Sequence, residues 1–368
     1  MTSYYFSQQI SRIDLDIHQL RILTTLESWS FAKSLYLYGS NVPGRRESEN
    51  DPFHLISLSQ LAISSERRDA DPVYNQFVSY FNDQDYADTT ITAALDGTGK
   101  WGIRTTKERA ELIALTSSFE VVYMDIIRNL NNAVAACNVA DPSAGFSFTG
   151  GDELDQAAAM IIGSMEGTNF GGSSDLDDGQ LLWNLANTRA FQFQTMNNMD
   201  YAVVNSELVD LLYAAKGELD AVVCPSLERT VLKIQQLMTV AVMQSVIRSA
   251  IAADGILSTS SDLSLVGGEV FARSVLPIIN AHDPSTAELI SENMIIKVGV
   301  NPVRDGKEVV ADGFGFSITQ GIKLSCSYLG ATSTVDPCRR FGGGISSSTR
   351  LATHGLLMGT LLLAFTLV

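Results

Sequence analysis

Histidine is scarce in this chain: there are four in 368 residues, His18, His54, His282 and His354. That count excludes an imidazole-rich metal site, and no H-E-x-x-H, G-x-S-x-G, Walker or G-x-G-x-x-G pattern occurs. Positive charge is also short, with 25 basic residues against 41 acidic ones and a net charge of −16. A surface that negative repels phosphate backbones, so nucleic acid is not an expected partner; cations would be drawn in. The same acidity also serves simply to keep an extracellular protein soluble. No C-x-x-C pair exists among the four cysteines, which removes zinc-ribbon and thioredoxin-type readings. The N-terminus, MTSYYFSQQISRIDLDIHQL, has no cationic stretch leading into an apolar one and so lacks a secretory signal.

At the other end, Gly355 to Val368 reads GLLMGTLLLAFTLV, fourteen residues without charge. A bilayer-spanning helix needs about 20 apolar residues, so the segment is short for that task. Upstream stand Gly342, Gly343 and Gly344, then Ser346, Ser347 and Ser348, followed by a polar stretch with Thr349, Arg350 and His354. Small site, polar spacer and terminal apolar tail is the order of a GPI-attachment signal. Gly342 and Ser346 are both candidate attachment residues, and a short tail-anchor helix is the rival account. Either way the chain is expected outside the cell, tethered to membrane through its C-terminus. A GPI tail needs entry to the secretory route, so the reading places the true start upstream of Met1.

An even, sparse cysteine set fits two structural disulfides in an oxidising compartment; four buried thiols is the alternative. Cys326 and Cys338 flank a short loop and are expected to pair. Cys137 and Cys224 each follow a helical stretch in related halves of the chain, which pairs them too.

The middle of the chain is dominated by helical periodicity. Leu112, Leu115, Phe119, Val122, Ile126, Leu130, Ala133 and Cys137 recur at spacings of three and four, one stripe on a helix of about seven turns. Leu227 to Asp254 is apolar nearly all round between Leu237 and Ile247, as a central helix is, and Gly255 stands where a C′ glycine ends it. Met294–Val300 (MIIKVGV) alternates like a strand. The fold class is therefore all-α, with internally repeated amphipathic helices forming one or two packed lobes. The repeat rests on Gly39-Ser40 against Gly163-Ser164 and Leu61-Ala62 against Leu185-Ala186, both at an offset of 124. Ala93-Ala94 before Gly97 resembles Ala214-Ala215 before Gly217. This divides the chain into residues 1–28, a first repeat at 29–145, a second at 146–260, a third segment at 261–340 with the local disulfide loop, and the anchor signal at 341–368.

Hard oxygen donors supply the candidate metal chemistry. Tyr36 and Tyr38 precede the first Gly-Ser loop, Asp85 and Tyr86 lie in NDQDYADTT, and Glu166 sits among glycines in GSMEGTNFGG. Phenolate and carboxylate oxygens suit a hard cation such as Fe3+, and glycine allows close approach. The same residues read equally as packing and solvated-face groups. Asp175, Asp177, Asp178 and Gly179 (DLDDG) lack calcium-loop spacing, and Asp177 or Asp178 is expected to cap the helix that begins near Gln180. Asp152 and Glu153 read as anions at a helix N-terminus.

SFAKSLYLYGSN, NDQDYADTT, ELDQAAAMIIGSMEG, LLWNLANTRAFQF and ARSVLPIINAHDPSTAELI together resemble the algal iron-assimilation (high-CO2-inducible periplasmic) proteins, grouped with phytotransferrin-like proteins. The likeness covers roughly Trp29 to Asn301. It implies a non-enzymatic, surface-held protein that captures ferric iron for uptake, so iron (Fe3+) or another small ligand is the expected cargo. Two rivals stay open: a structural or adhesive surface protein without a small ligand, and a carboxylate-based hydrolase using Glu166.

Overall fold

A computed structural model describes residues 9–44, 54–63, 71–139, 150–166, 179–257, 262–297 and 299–341. DLDDG up to Asp178, the attachment candidates Gly342 and Ser346, and the apolar tail lie outside these residues. Helix dominates, and among the described residues the only β pairings are isolated bridges, Pro43 with Leu55 and Met196 with Ala202. The mainly α expectation holds.

The first helices are α1 (Ile13–Thr25) and α2 (Trp29–Tyr38), followed by the short α3 (Leu58–Ile63), α4 (Pro72–Phe81) and α5 (Tyr86–Asp96). Local signals explain several starts. Asp71 caps α4 through the backbone N–H groups of Val73 and Tyr74, ahead of Pro72. Ser57 and Gln60 bond reciprocally across the first turn of α3, at 3.1 and 3.0 Å.

The long helix expected around Leu112–Cys137 runs further and is interrupted. It comprises α6 (Thr106–Thr116), a π-helical segment (Ser117–Val122) and α7 (Tyr123–Val139). Thr105 and Glu108 form a capping box at its start. Ser117 and Ser118 donate their hydroxyls to the carbonyls of Ile113 and Ala114, four residues back, where the π segment begins. Such bonds compete with the helical ladder and bend it.

Then come α8 (Gly150–Ile162), α9 (Leu182–Phe193), α10 (Val203–Asp220), α11 (Cys224–Ala253), α12 (Leu263–Asn280), α13 (Pro284–Met294) and α14 (Lys307–Phe316). A second π segment (Ser317–Gly321) continues α14. Asp152 and Glu153 do lie in the first turn of α8. Gly255 follows the C-cap of α11 with φ +83°, as its position in the sequence predicts. Residues 237–247 of α11 are buried without exception. Helices α11 and α12 are long and apolar enough to cross a membrane, but most of each is enclosed by the other helices, which accounts for that composition.

Two expectations need correcting. The strand at Met294–Val300 is not formed: α13 ends at Met294, and Ile295 to Lys297 pair with nothing as strand. A lone alternating segment has no partner on which to form a ladder. Cys224 follows α10 but opens the long α11, whereas Cys137 lies near the end of α7. The two cysteines therefore sit at opposite ends of the long helices of the two halves.

Most of the described buried apolar residues belong to one cluster reaching from Ile10 to Cys338. α11 packs on α10, α9 and α12; α12 also packs on α6 and α13; α1 lies on α6, and α7 on α8. Disulfides join Cys137 to Cys224 and Cys326 to Cys338, with Cα–Cα distances of 5.6 and 5.7 Å.

Two features recur in the structure at the 124-residue offset. Helices α3 and α9 begin at Leu58 and Leu182, 124 residues apart like Gly39 and Gly163. Both glycines have positive φ, +69° and +91°, and close approach also demands them. A Cβ at Gly39 would lie 2.5 Å from the Ile56 carbonyl oxygen, and one at Gly163 would lie 2.7 Å from Asp14 Oδ2.

Candidate functional site

The five proposed oxygen donors go to different surroundings. Tyr36 is buried, and its O–H donates to Asp88 Oδ1 at 2.7 Å. Burial and the charge of Asp88 push its phenol well above the usual value of 10, and Asp85 adds to the effect. Tyr36 and Asp85 thus share a neighbourhood around Asp88. Tyr38 lies two residues further along α2, on the opposite face, and is 69% exposed. Tyr86 is buried with its ring 5.2 Å from that of Phe81 and 5.6 Å from that of Phe77. Burial and then Glu120 push its phenol up as well. Neither buried phenol is therefore disposed to ionise.

Glu166 belongs to a fourth setting. Its carboxyl lies against Gly179, where an added Cβ would be 1.8 Å from Oε1, and faces the backbone of Asn184 in the first turn of α9. That helix has Leu181 at its N-cap and no side-chain cap of its own, so Glu166 faces the positive end of its dipole. Burial, then the neighbouring Asp14, push its pKa up to about 8. The convergence of Tyr36, Tyr38, Asp85, Tyr86 and Glu166 on one position is not what this packing builds. Among the described residues no group of three or more His, Cys, Asp or Glu is placed to share a metal ion.

A second charged cluster spans the π segment and α12. Arg273 donates from Nε to Glu120 Oε1 at 2.9 Å and from Nη2 to Glu120 Oε2 at 3.2 Å, and also to Thr90 Oγ1 at 3.1 Å. Glu269, one turn before Arg273, accepts from Lys100 and from the Ile296 backbone N–H. Two acids face two bases, so the cluster satisfies itself inside the fold.

Among the described residues, a pocket of ligand-binding size lies elsewhere. A pocket of about 680 Å3 opens between α4, α7, α11, the end of α12 and the second π segment. This is within the usual range of small-molecule sites. Val73, Ile127, Leu232, Ile278 and Ile322 give apolar walls, and Gln76, Gln235, Gln236, Gln320, Thr239, His282 and Lys323 bring polar groups. Gln235 is oriented by donating to Asn131 Oδ1 at 2.7 Å. Gly321 lets His282 lie across the π segment, since a Cβ there would be 3.3 Å from His282 Cβ. Lys323 is held at φ +66°, an uncommon conformation for a non-glycine residue. A shallower recess of about 370 Å3, walled by Tyr80, Pro277 and Asn280, shares Gln76 with the pocket. Among the described lining residues of the main pocket there is no carboxylate and no phenol. In a chain of net charge −16 this surface favours a neutral or anionic molecule with an apolar body and several hydrogen-bonding groups.

None of these pocket residues stands out in the sequence. They come from five separated segments, and the only hint is that Gln235 and Gln236 stand just before the apolar stretch of α11 and Thr239 stands within it. No family model, curated protein or solved structure matches the chain.

Proposed function

We propose that this protein is a non-catalytic capture protein held at the outer cell surface, with the pocket between α4, α11 and the second π segment as its ligand site. The pocket itself is the observation that carries this reading, through its size, apolar walls and ring of carboxamides. Two disulfides using all four cysteines support an oxidising compartment. The terminal small-residue, spacer and apolar segments support a lipid tether.

Ferric iron, the cargo implied by the family resemblance, suits this pocket only as a complex that brings its own oxygen donors. Bare Fe3+ needs hard anionic ligands, and the described lining residues offer amides, an imidazole and an ammonium group instead. Lys323 and His282 favour an anionic chelate, such as iron held by a hydroxycarboxylate.

Thermal unfolding with ferric citrate and with iron-free citrate tests the proposal, because a ligand of the native state stabilises it by RT ln(1 + [L]/Kd). Ferric citrate should raise the midpoint of the wild type, and Gln236→Trp, which fills the pocket, should abolish that rise while folding normally. A chelate that stabilises neither protein, or both equally, removes the assignment and leaves a structural surface role.

A further inference from the structure

Arginines inside this fold are as a rule answered by acids or carbonyls. Arg273 has Glu120, Arg104 has Glu108 and Arg128 has Asp125. Arg109 has the carbonyls of Ala94 and Leu95. Arg189 on α9 is different. Its Nε donates to Ser245 Oγ at 2.8 Å, and its Nη1 donates to Gln192 Oε1 at 2.8 Å. The ring of Phe271 lies 5.9 Å from the guanidinium carbon. Among the described residues no carboxylate reaches it, and Nη2 has no protein acceptor.

The charge that acts on it is another cation. Arg248 is on α11, one turn after Ser245, and so shares the face of that helix that meets Arg189. Burial, and then the charge of Arg248, pull the Arg189 guanidinium down to about 10. Among the described residues Arg248 itself forms no hydrogen bond or ion pair. Two half-buried guanidinium groups thus lie within electrostatic range of one another, in a chain with 16 more acids than bases. Like charges in a poorly solvated site repel, and a bound anion reverses the sign of that interaction.

We propose that Arg189 and Arg248 form a binding site for a small oxyanion, with Ser245 and Gln192 holding the Arg189 fork so that Nη2 faces the ligand. Planar guanidinium groups recognise phosphate and carboxylate oxygens through paired N–H donors, which sets the ligand class. The site uses none of the pocket residues and stands or falls independently of the capture proposal.

The experiment is a titration of the full-length protein with inorganic phosphate, acetate and chloride at constant ionic strength, read by calorimetry and by thermal unfolding. Phosphate or acetate should bind and raise the unfolding midpoint where chloride does not, and the stronger of the two identifies the oxyanion. Arg248→Gln should weaken that binding at least tenfold. It should also raise the midpoint in anion-free buffer, because the repulsion is gone. Arg189→Gln should abolish binding. Equal effects of all three salts, or Arg248→Gln with unchanged affinity, overturn the site.

Discussion

Asp14 and Asp16, two residues apart on α1, each hold one of the two Gly-Ser loops of the repeat. Asp16 accepts from the backbone N–H groups of Ser40 and Asn41, at 3.3 and 3.0 Å, and from the Asn41 side chain at 2.6 Å. Asp14 accepts from the backbone N–H groups of Ser164 and Met165 and from the Ser164 hydroxyl. One helix outside the repeat thus clamps both halves by the same chemistry. Burial raises both carboxyls above their usual 3.8, against the opposing pull of these hydrogen bonds.

Glu166 makes the second clamp pH-dependent. Its pKa rises from 4.5 to about 8 on folding, so between those values the folded state binds a proton that the unfolded state has lost. Stability therefore falls as pH rises through this window, by at most about 1.4 kcal/mol per pH unit. Glu166→Gln, which mimics the protonated acid, should flatten the stability profile between pH 5 and 8 (roughly the window set by the ordinary and raised values). Asp14→Asn should lower the titration of Glu166 by removing the neighbouring charge. Denaturant melts across pH, with Glu166→Gln as steep as the wild type, would refute the assignment.

The Glu120–Arg273 pair should be costly to break from one side. Arg273→Met leaves the Glu120 carboxylate buried and unpaired, with an expected loss of about 3–5 kcal/mol. Glu120→Gln/Arg273→Met together should lose less than the sum of the single changes. Urea unfolding of the four proteins in the cycle measures this, and strict additivity would show that the pair is not coupled.

The disulfides should differ in weight. Cys137–Cys224 closes a stretch of 87 residues and Cys326–Cys338 one of 12. Chain-entropy reasoning gives about 4–5 kcal/mol for the longer loop and about 3 kcal/mol for the shorter. Paired Cys→Ser replacements at each bridge, compared by chemical denaturation, should rank in that order.

The tether has its own check. Phosphatidylinositol-specific phospholipase C should release the protein from intact cells in a form lacking the sequence after the attachment site. Retention in membranes with a C-terminal tag still present favours a membrane-spanning tail.

Much of the helical layout is legible because it depends on neighbours in sequence. The stripe from Leu112 to Cys137, the all-round apolar stretch at Leu237–Ile247, the C′ glycine at Gly255 and the paired Gly-Ser turns all follow from local periodicity and backbone geometry. The π segment is not visible in that way, since a six-residue change of pitch barely disturbs the stripe. The alternation at Met294–Val300 misleads because strand formation depends on a partner that periodicity does not reveal. The tyrosines suggest metal ligands by residue type alone, whereas in the fold Tyr36 answers Asp88 and Tyr86 packs against Phe77 and Phe81. Arg273 and Glu120, 153 positions apart, and a pocket drawn from five segments are tertiary facts that no local pattern encodes.

The Cys137–Cys224 bridge makes a covalent ring that contains α8, α9 and α10 entire, with the Gly163 turn and Glu166 inside it. A protease that cuts once anywhere within the ring opens it without releasing a fragment. The nicked molecule keeps its full mass until it is reduced, and the new ends stay tethered beside the core to which they belong. A single cut in this quarter of the chain is then survivable, whereas a cut outside both rings separates the chain into pieces held only by packing.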